Sequence, residues 1–116
     1  MGTVLVMDDD DIVRNLIVRV VKLKGHRAIA FSDAGPALET ADFSQIDLII
    51  TDLSMPTNGE EAIRALRQRG IQAPIIVVSG QMQEAKSAYL KSVGAQATLC
   101  KPFHLFELLD LIETWL

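Results

Sequence analysis

The sequence holds a single cysteine, Cys100, so the chain can close no disulfide on itself, and a reducing, cytoplasmic setting is expected. Lying in an apolar run, Cys100 reads as a small core hydrophobe. Although 49% of the residues are hydrophobic, no apolar run is long enough to cross a bilayer, which points to a soluble protein without membrane spans. The N-terminus, Met1-Gly2-Thr3, lacks both the basic start and the small-residue cleavage site of a secretory signal. Basic residues are the minority, 11 Lys and Arg against 15 Asp and Glu, for a net charge of -4. Sequence-independent binding to nucleic acid needs the opposite balance. There is no internal repeat, linker or low-complexity stretch, so the 116 residues are expected to form one domain, 1–116.

What is present is organised around Asp47-Leu48-Ile49-Ile50-Thr51-Asp52. Its continuous apolar run suits a strand buried on both faces of a parallel sheet. The run stops at Asp52, and Met55-Pro56 and Asn58-Gly59 then punctuate a loop. In open α/β sheets, chemistry collects outside the carboxyl ends of the strands, where Asp52 falls.

The same grammar recurs along the chain. Val4 to Met7 reads as a first buried strand that runs into Asp8, Asp9, Asp10 and Asp11. Ile12, Leu16, Val20 and Leu23 recur at helical spacing and define the expected core face of a first helix, ended by Lys24-Gly25. Arg27 to Phe31 is a weaker strand nearer an edge, and Ser32-Asp33 caps a helix through Pro36 to Glu39. Glu60 to Arg67 has acids first and bases last, a well-marked helix ending at Gly70. Pro74 to Ser79 is a further apolar strand, Gln83 to Ser92 a helix of weak pattern, and Ala97 to Cys100 a last strand before Lys101-Pro102. Leu105, Leu108, Leu109, Ile112 and Trp115 or Leu116 complete an amphipathic closing helix. Five strand-helix alternations at about twenty to twenty-five residues each are the rhythm of βαβ crossovers, so an α/β fold with a parallel sheet is expected.

Right-handed crossovers bring the carboxyl ends of such strands to one edge. Asp8 and Asp9, Asp52, Ser79 and Lys101 should therefore converge there. Each has a bland reading alone: a solvated cap region, a loop cap, a turn hydroxyl, a surface lysine. Their joint placement at four strand ends argues for a site. Carboxylates drawn together favour a compensating cation, and an all-oxygen set suits Mg²⁺. A lysine and a hydroxyl at the same edge supply what a phosphoryl group needs, so the chemistry inferred is phosphoryl transfer with an aspartate as acceptor.

On Val4-Leu5-Val6-Met7-Asp8-Asp9, Asp52-Leu53-Ser54-Met55-Pro56 with Gly59, Val77-Val78-Ser79-Gly80 and Lys101-Pro102-Phe103, the whole chain resembles the receiver domain of two-component response regulators. The resemblance implies a doubly wound (βα)5 flavodoxin-like fold, its five parallel strands in the order 2-1-3-4-5. It implies that Asp52 is phosphorylated by a histidine kinase or histidine phosphotransfer protein. Asp9, Asp52 and the Ser54 carbonyl would bind Mg²⁺, with Asp8 acting through water. Ser79 would contact the phosphoryl group, Lys101 would pair with it, and the Lys101-Pro102 peptide would be cis. A signalling domain of this kind is no enzyme in the ordinary sense, and it catalyses its own phosphorylation and dephosphorylation. Its switch face would be the fourth helix, fifth strand and last helix, read by a downstream protein or an attached output domain. An ending close to Ile112 to Leu116 fits both a single-domain regulator and a receiver cut from a longer protein. Exposed Trp115 and Leu116 would mark a homodimer or partner surface, and buried ones simple packing. His26 and His104 are given no catalytic role.

The chain departs from the family pattern in its Met55 to Gly59 loop, which is one residue short, and in Thr98, which stands where a switch Tyr or Phe is usual. Ser54 and Gln81 occupy positions that vary in the family and tune the lifetime of the phosphoryl group. A phosphatase of the haloacid dehalogenase type is the rival enzyme reading, because Asp8-Asp9-Asp10 carries its Asp-x-Asp pattern. There Asp8, and not Asp52, would be phosphorylated. A degenerate receiver acting only as an interaction module is the other alternative.

Overall fold

The computed structural model describes all residues, Met1 to Leu116. Its strands are β1 (Thr3–Met7), β2 (Arg27–Phe31), β3 (Leu48–Thr51), β4 (Ile75–Ser79) and β5 (Ala97–Cys100), and its helices α1 (Asp11–Leu23), α2 (Ala34–Thr40), α3 (Gly59–Gln68), α4 (Glu84–Val93) and α5 (Leu105–Trp115). All strand pairings are parallel, in the order β2-β1-β3-β4-β5. No helix is long and apolar enough to cross a membrane.

Alternate side chains of a strand face opposite sides of the sheet, and each side here has its own core. Val4, Val6, Leu48, Ile50, Ile76 and Val78 pack with Ile17 and Val20 of α1 and Leu108 and Ile112 of α5. Leu5, Met7, Ile49, Ile75 and Val77 pack with Ala37 of α2, Ile63 and Leu66 of α3 and Leu90 of α4. Burial on both sides explains why the central strands read as unbroken apolar runs.

The first helix departs from expectation. Its buried residues are Ile17, Val20 and Val21, while Ile12 is 81% and Leu23 83% exposed and Leu16 also faces solvent. The helix carries a second apolar stripe one residue on, beginning at Val13, and a one-residue step turns a helix by about 100°. Periodicity alone fits both stripes. The chain entry decides between them: Asp10 caps the helix by accepting from the Ile12 and Val13 amides, and the Arg14 guanidinium donates to the Asp8 carbonyl. Cys100 is exposed rather than buried, because β5 is an edge strand and only Ala97 and Leu99 of it are covered. In α5, Leu105 and Phe106 are exposed, whereas Trp115 packs on the cluster beneath the helix, the structural reading of that residue.

At the opposite edge from the strand carboxyl ends, Arg67 ties three segments together. It donates to the carbonyls of Gly94, Ile71 and Ala73 and to Gln96 Oε1 at 2.7–3.1 Å, and the same Gln96 oxygen accepts from the Ile75 amide. Burial lowers the Arg67 pKa, and no carboxylate offsets it. Backbone carbonyls accept its N–H groups in place of a counter-ion. Arg67→Met is expected to lower stability by about 2 kcal/mol in urea unfolding, since it strands several acceptors at once. Arg67→Lys should recover only part, because a lysine lacks the guanidinium fork.

Candidate functional site

Register builds the site. Met7 of β1 pairs with Thr51 of β3, so Asp8 and Asp52, the next residue in each strand, leave the sheet side by side. Ser79 pairs with Cys100, which places Lys101 one residue past the end of β5. Backbone bonds continue the ladder into the loops: the Asp52 amide donates to the Met7 carbonyl and the Lys101 amide to the Ser79 carbonyl. The Lys101-Pro102 peptide is cis, as expected.

Asp8, Asp52 and Ser79 are buried, Asp9 is exposed, and Lys101 is half-buried between them. Lys101 Nζ lies 3.0 Å from Asp8 Oδ2 and 3.5 Å from Asp52 Oδ2. Carboxylate oxygens of Asp8, Asp9 and Asp52 all lie within 4.8 Å of one another. The remaining oxygens are held: the Asp10 amide donates to Asp8 Oδ1 and the Leu53 amide to Asp52 Oδ1. Ser79 Oγ accepts from the Gln81 amide at 3.3 Å, and the Ser54 carbonyl accepts no backbone hydrogen bond. No buried side-chain nitrogen or oxygen lacks a partner.

This donor set fits a hard divalent cation. Three carboxylates face one another with a single lysine between them, and oxygen-only ligation suits Mg²⁺. Burial raises the Asp8 pKa, with Asp52 repulsion acting in the same sense, against the Asp10 amide and Lys101. Burial lowers the Lys101 pKa, but Asp8 and Asp52 outweigh it and the net shift is upward. A carboxyl raised in the folded state contributes stability that is fully present below its unfolded pKa and is lost as pH rises through the folded one. Without metal, Asp8→Asn should therefore raise the melting temperature at neutral pH and change it little at about pH 3. Millimolar Mg²⁺ should shrink the gap between variant and wild type, and a gap that ignores both pH and Mg²⁺ would contradict this account.

The sequence singled out the strand-end residues, but other contacts here gave no such signal. Thr98, in place of an aromatic, has its hydroxyl 2.5 Å from that of Ser87 on α4. Thr57 of the shortened loop is bound by Asp33, which sequence marked only as a helix cap. Of the Asp-x-Asp pattern, Asp10 caps α1, accepting from the Ile12 and Val13 amides.

Known proteins share this sequence pattern and this fold. The transcriptional regulatory protein CpxR of Escherichia coli K12 is 33% identical over 97% of this chain and 48% of its own length. The DNA-binding transcriptional regulator NtrC of Azospirillum brasilense is 33% identical over 97% of this chain and 24% of its own. The chain thus spans half or less of these relatives. Among solved structures, the chemotaxis response regulator CheY4 of Vibrio cholerae superimposes with a TM-score of 0.91 at 29% identity, over 100% of this chain and 99% of that one. The pattern of the response regulator receiver domain matches residues 4–113, and the chain belongs to that family.

Proposed function

We propose that Asp52 accepts a phosphoryl group from a phosphohistidine on a histidine kinase or histidine phosphotransfer protein, and that the phosphorylated domain then switches a protein-binding surface. The observation that carries this reading is the buried Asp52 carboxylate with Lys101 Nζ 3.5 Å away and Asp8 and Asp9 within 4.8 Å.

In this reading an Asp52 oxygen attacks phosphorus, the new O–P bond forms as the P–N bond to the donor imidazole breaks, and the imidazole leaves with its electron pair. Asp9, Asp52 and the Ser54 carbonyl would hold Mg²⁺, with Asp8 acting through water, and the bound cation would supply charge neutralisation for the transferring oxygens. Lys101 exchanges its carboxylate partners for a phosphoryl oxygen, and the Ser79 hydroxyl turns from accepting the Gln81 amide to donating to another. Hydrolysis of the acyl phosphate returns the site to its first state.

Ser79 and Thr98 lie on neighbouring strands, and Thr98 reaches α4 through Ser87, so the α4, β5 and α5 surface is the face that responds. Its reader is a downstream protein or an attached output domain, the latter as in relatives of which this chain matches only a part. The module works in the cytoplasm and needs no direct nucleic-acid contact of its own.

Incubation with acetyl phosphate and Mg²⁺, followed by intact-mass analysis, tests the reading. One added phosphoryl mass is expected, and chelation of the metal should abolish it. A chain that stays unlabelled at every Mg²⁺ concentration would instead be a receiver used only for interaction.

A further inference from the structure

The Leu53 to Asn58 segment connects Asp52 to α3 and carries the Ser54 carbonyl. It is closed internally by the Met55 and Gly59 amides, which donate to the Leu53 carbonyl, and Asn58 caps α3 through the Glu60 amide. Its one hydrogen-bonded anchor in another part of the chain is Asp33, in the turn between β2 and α2. Asp33 Oδ1 accepts from the Thr57 amide at 2.7 Å and Oδ2 from the Thr57 hydroxyl at 2.8 Å, while Oδ2 also accepts from the Gly35 amide. The approach is tight. A Cβ on Gly35 would lie 3.0 Å from Asp33 Oδ2 and 3.1 Å from Thr57 Oγ1. Burial acts to raise the Asp33 pKa, but the bonds from Thr57, Gly35 and Ala34 more than offset it and hold the carboxyl below its ordinary range. The tether therefore stays ionised at neutral pH.

A carboxylate that grips both the amide and the hydroxyl of one residue fixes that residue's position and orientation. Thr57 lies three residues from Ser54 in a loop with little slack. We propose that Asp33 is a positioning residue for the metal side of the Asp52 site, acting through Thr57 to hold the loop that presents the Ser54 carbonyl. The inference rests on the phosphoryl-acceptor reading and adds a residue that touches neither metal nor phosphoryl group. Partners of this outer kind commonly govern metal affinity by about 10-fold or more.

The test compares wild type, Asp33→Ala, Thr57→Val and Thr57→Ser for Mg²⁺ affinity by calorimetry and, without metal, for amide hydrogen exchange at Thr57. Thr57→Val keeps the α2 cap intact, so its result does not depend on whether Asp33→Ala folds normally. Expected are faster exchange and an affinity loss of about 10-fold in Asp33→Ala, about 3-fold in Thr57→Val, and near wild-type values in Thr57→Ser. Faster exchange with unchanged Mg²⁺ affinity in both loosened variants overturns the inference and leaves the acceptor reading standing. A wild type that binds no Mg²⁺ and takes no label from acetyl phosphate overturns the reading, and the inference falls with it.

Discussion

Asp52→Asn is expected to take up no phosphoryl group from acetyl phosphate under conditions that label the wild type, while Asp8→Asn remains labelled at a reduced rate. The substitution is nearly isosteric. An amide oxygen at the Oδ1 position still accepts the Leu53 amide bond, so the start of the loop keeps its anchor. What disappears is the anionic oxygen that faces Lys101 Nζ, and a neutral amide is a poor nucleophile towards phosphorus. Asp8 plays another part. Its Oδ2 holds Lys101 at 3.0 Å and its charge adds to the cation site, so its loss slows transfer without removing the acceptor. Intact masses of the two variants separate the readings. Label that survives in Asp52→Asn and vanishes in Asp8→Asn would transfer the acceptor role to β1 and restore the phosphatase alternative.

Strand ends were legible in sequence because they are written twice, once as an apolar run and once as the polar residue that stops it. Leu48 to Thr51 followed by Asp52 is the plainest case, and Ile75 to Ser79 the next. The convergence of Asp8, Asp52, Ser79 and Lys101 followed from topology rather than from any local motif. Helix faces were less legible. In α1 two apolar stripes compete, and contacts of Asp10 and Arg14 with nearby backbone select the one that sequence did not favour. Cys100 was misread because an apolar neighbourhood in sequence is no guarantee of cover on an edge strand. Arg67 left no trace because most of its acceptors are backbone carbonyls, which every residue possesses. The Asp33 to Thr57 tether spans 24 residues, and nothing in the spacing marks the pair.

Gly59→Ala should be the most damaging alanine substitution at any glycine of the chain. Its Cβ would lie 2.2 Å from the Asp52 carbonyl oxygen, 2.8 Å from Leu53 Cα and 3.1 Å from the Asp52 carbonyl carbon. All three are backbone atoms, so no side chain can turn aside to make room. Torsion is not the obstacle, since the glycines with positive φ are Gly25, Gly70 and Gly94. Relief requires the first turn of α3 to back away from β3, which would break the Gly59 amide bond to the Leu53 carbonyl and uncover the buried Ala62 and Ile63. Overpacking against rigid neighbours costs about 3 kcal/mol or more. The atom pressed upon is the carbonyl oxygen of Asp52 itself, so phosphoryl uptake should fall together with stability. Gly80→Ala is the control: it lies beside Ser79, has no atom within 4 Å of its Cβ position and no positive φ, and should be close to neutral. Urea unfolding and acetyl phosphate labelling of the pair give the answer. Equal stability of the two variants would mean that α3 does not press on the Asp52 backbone, and that the glycine ending the loop serves another purpose.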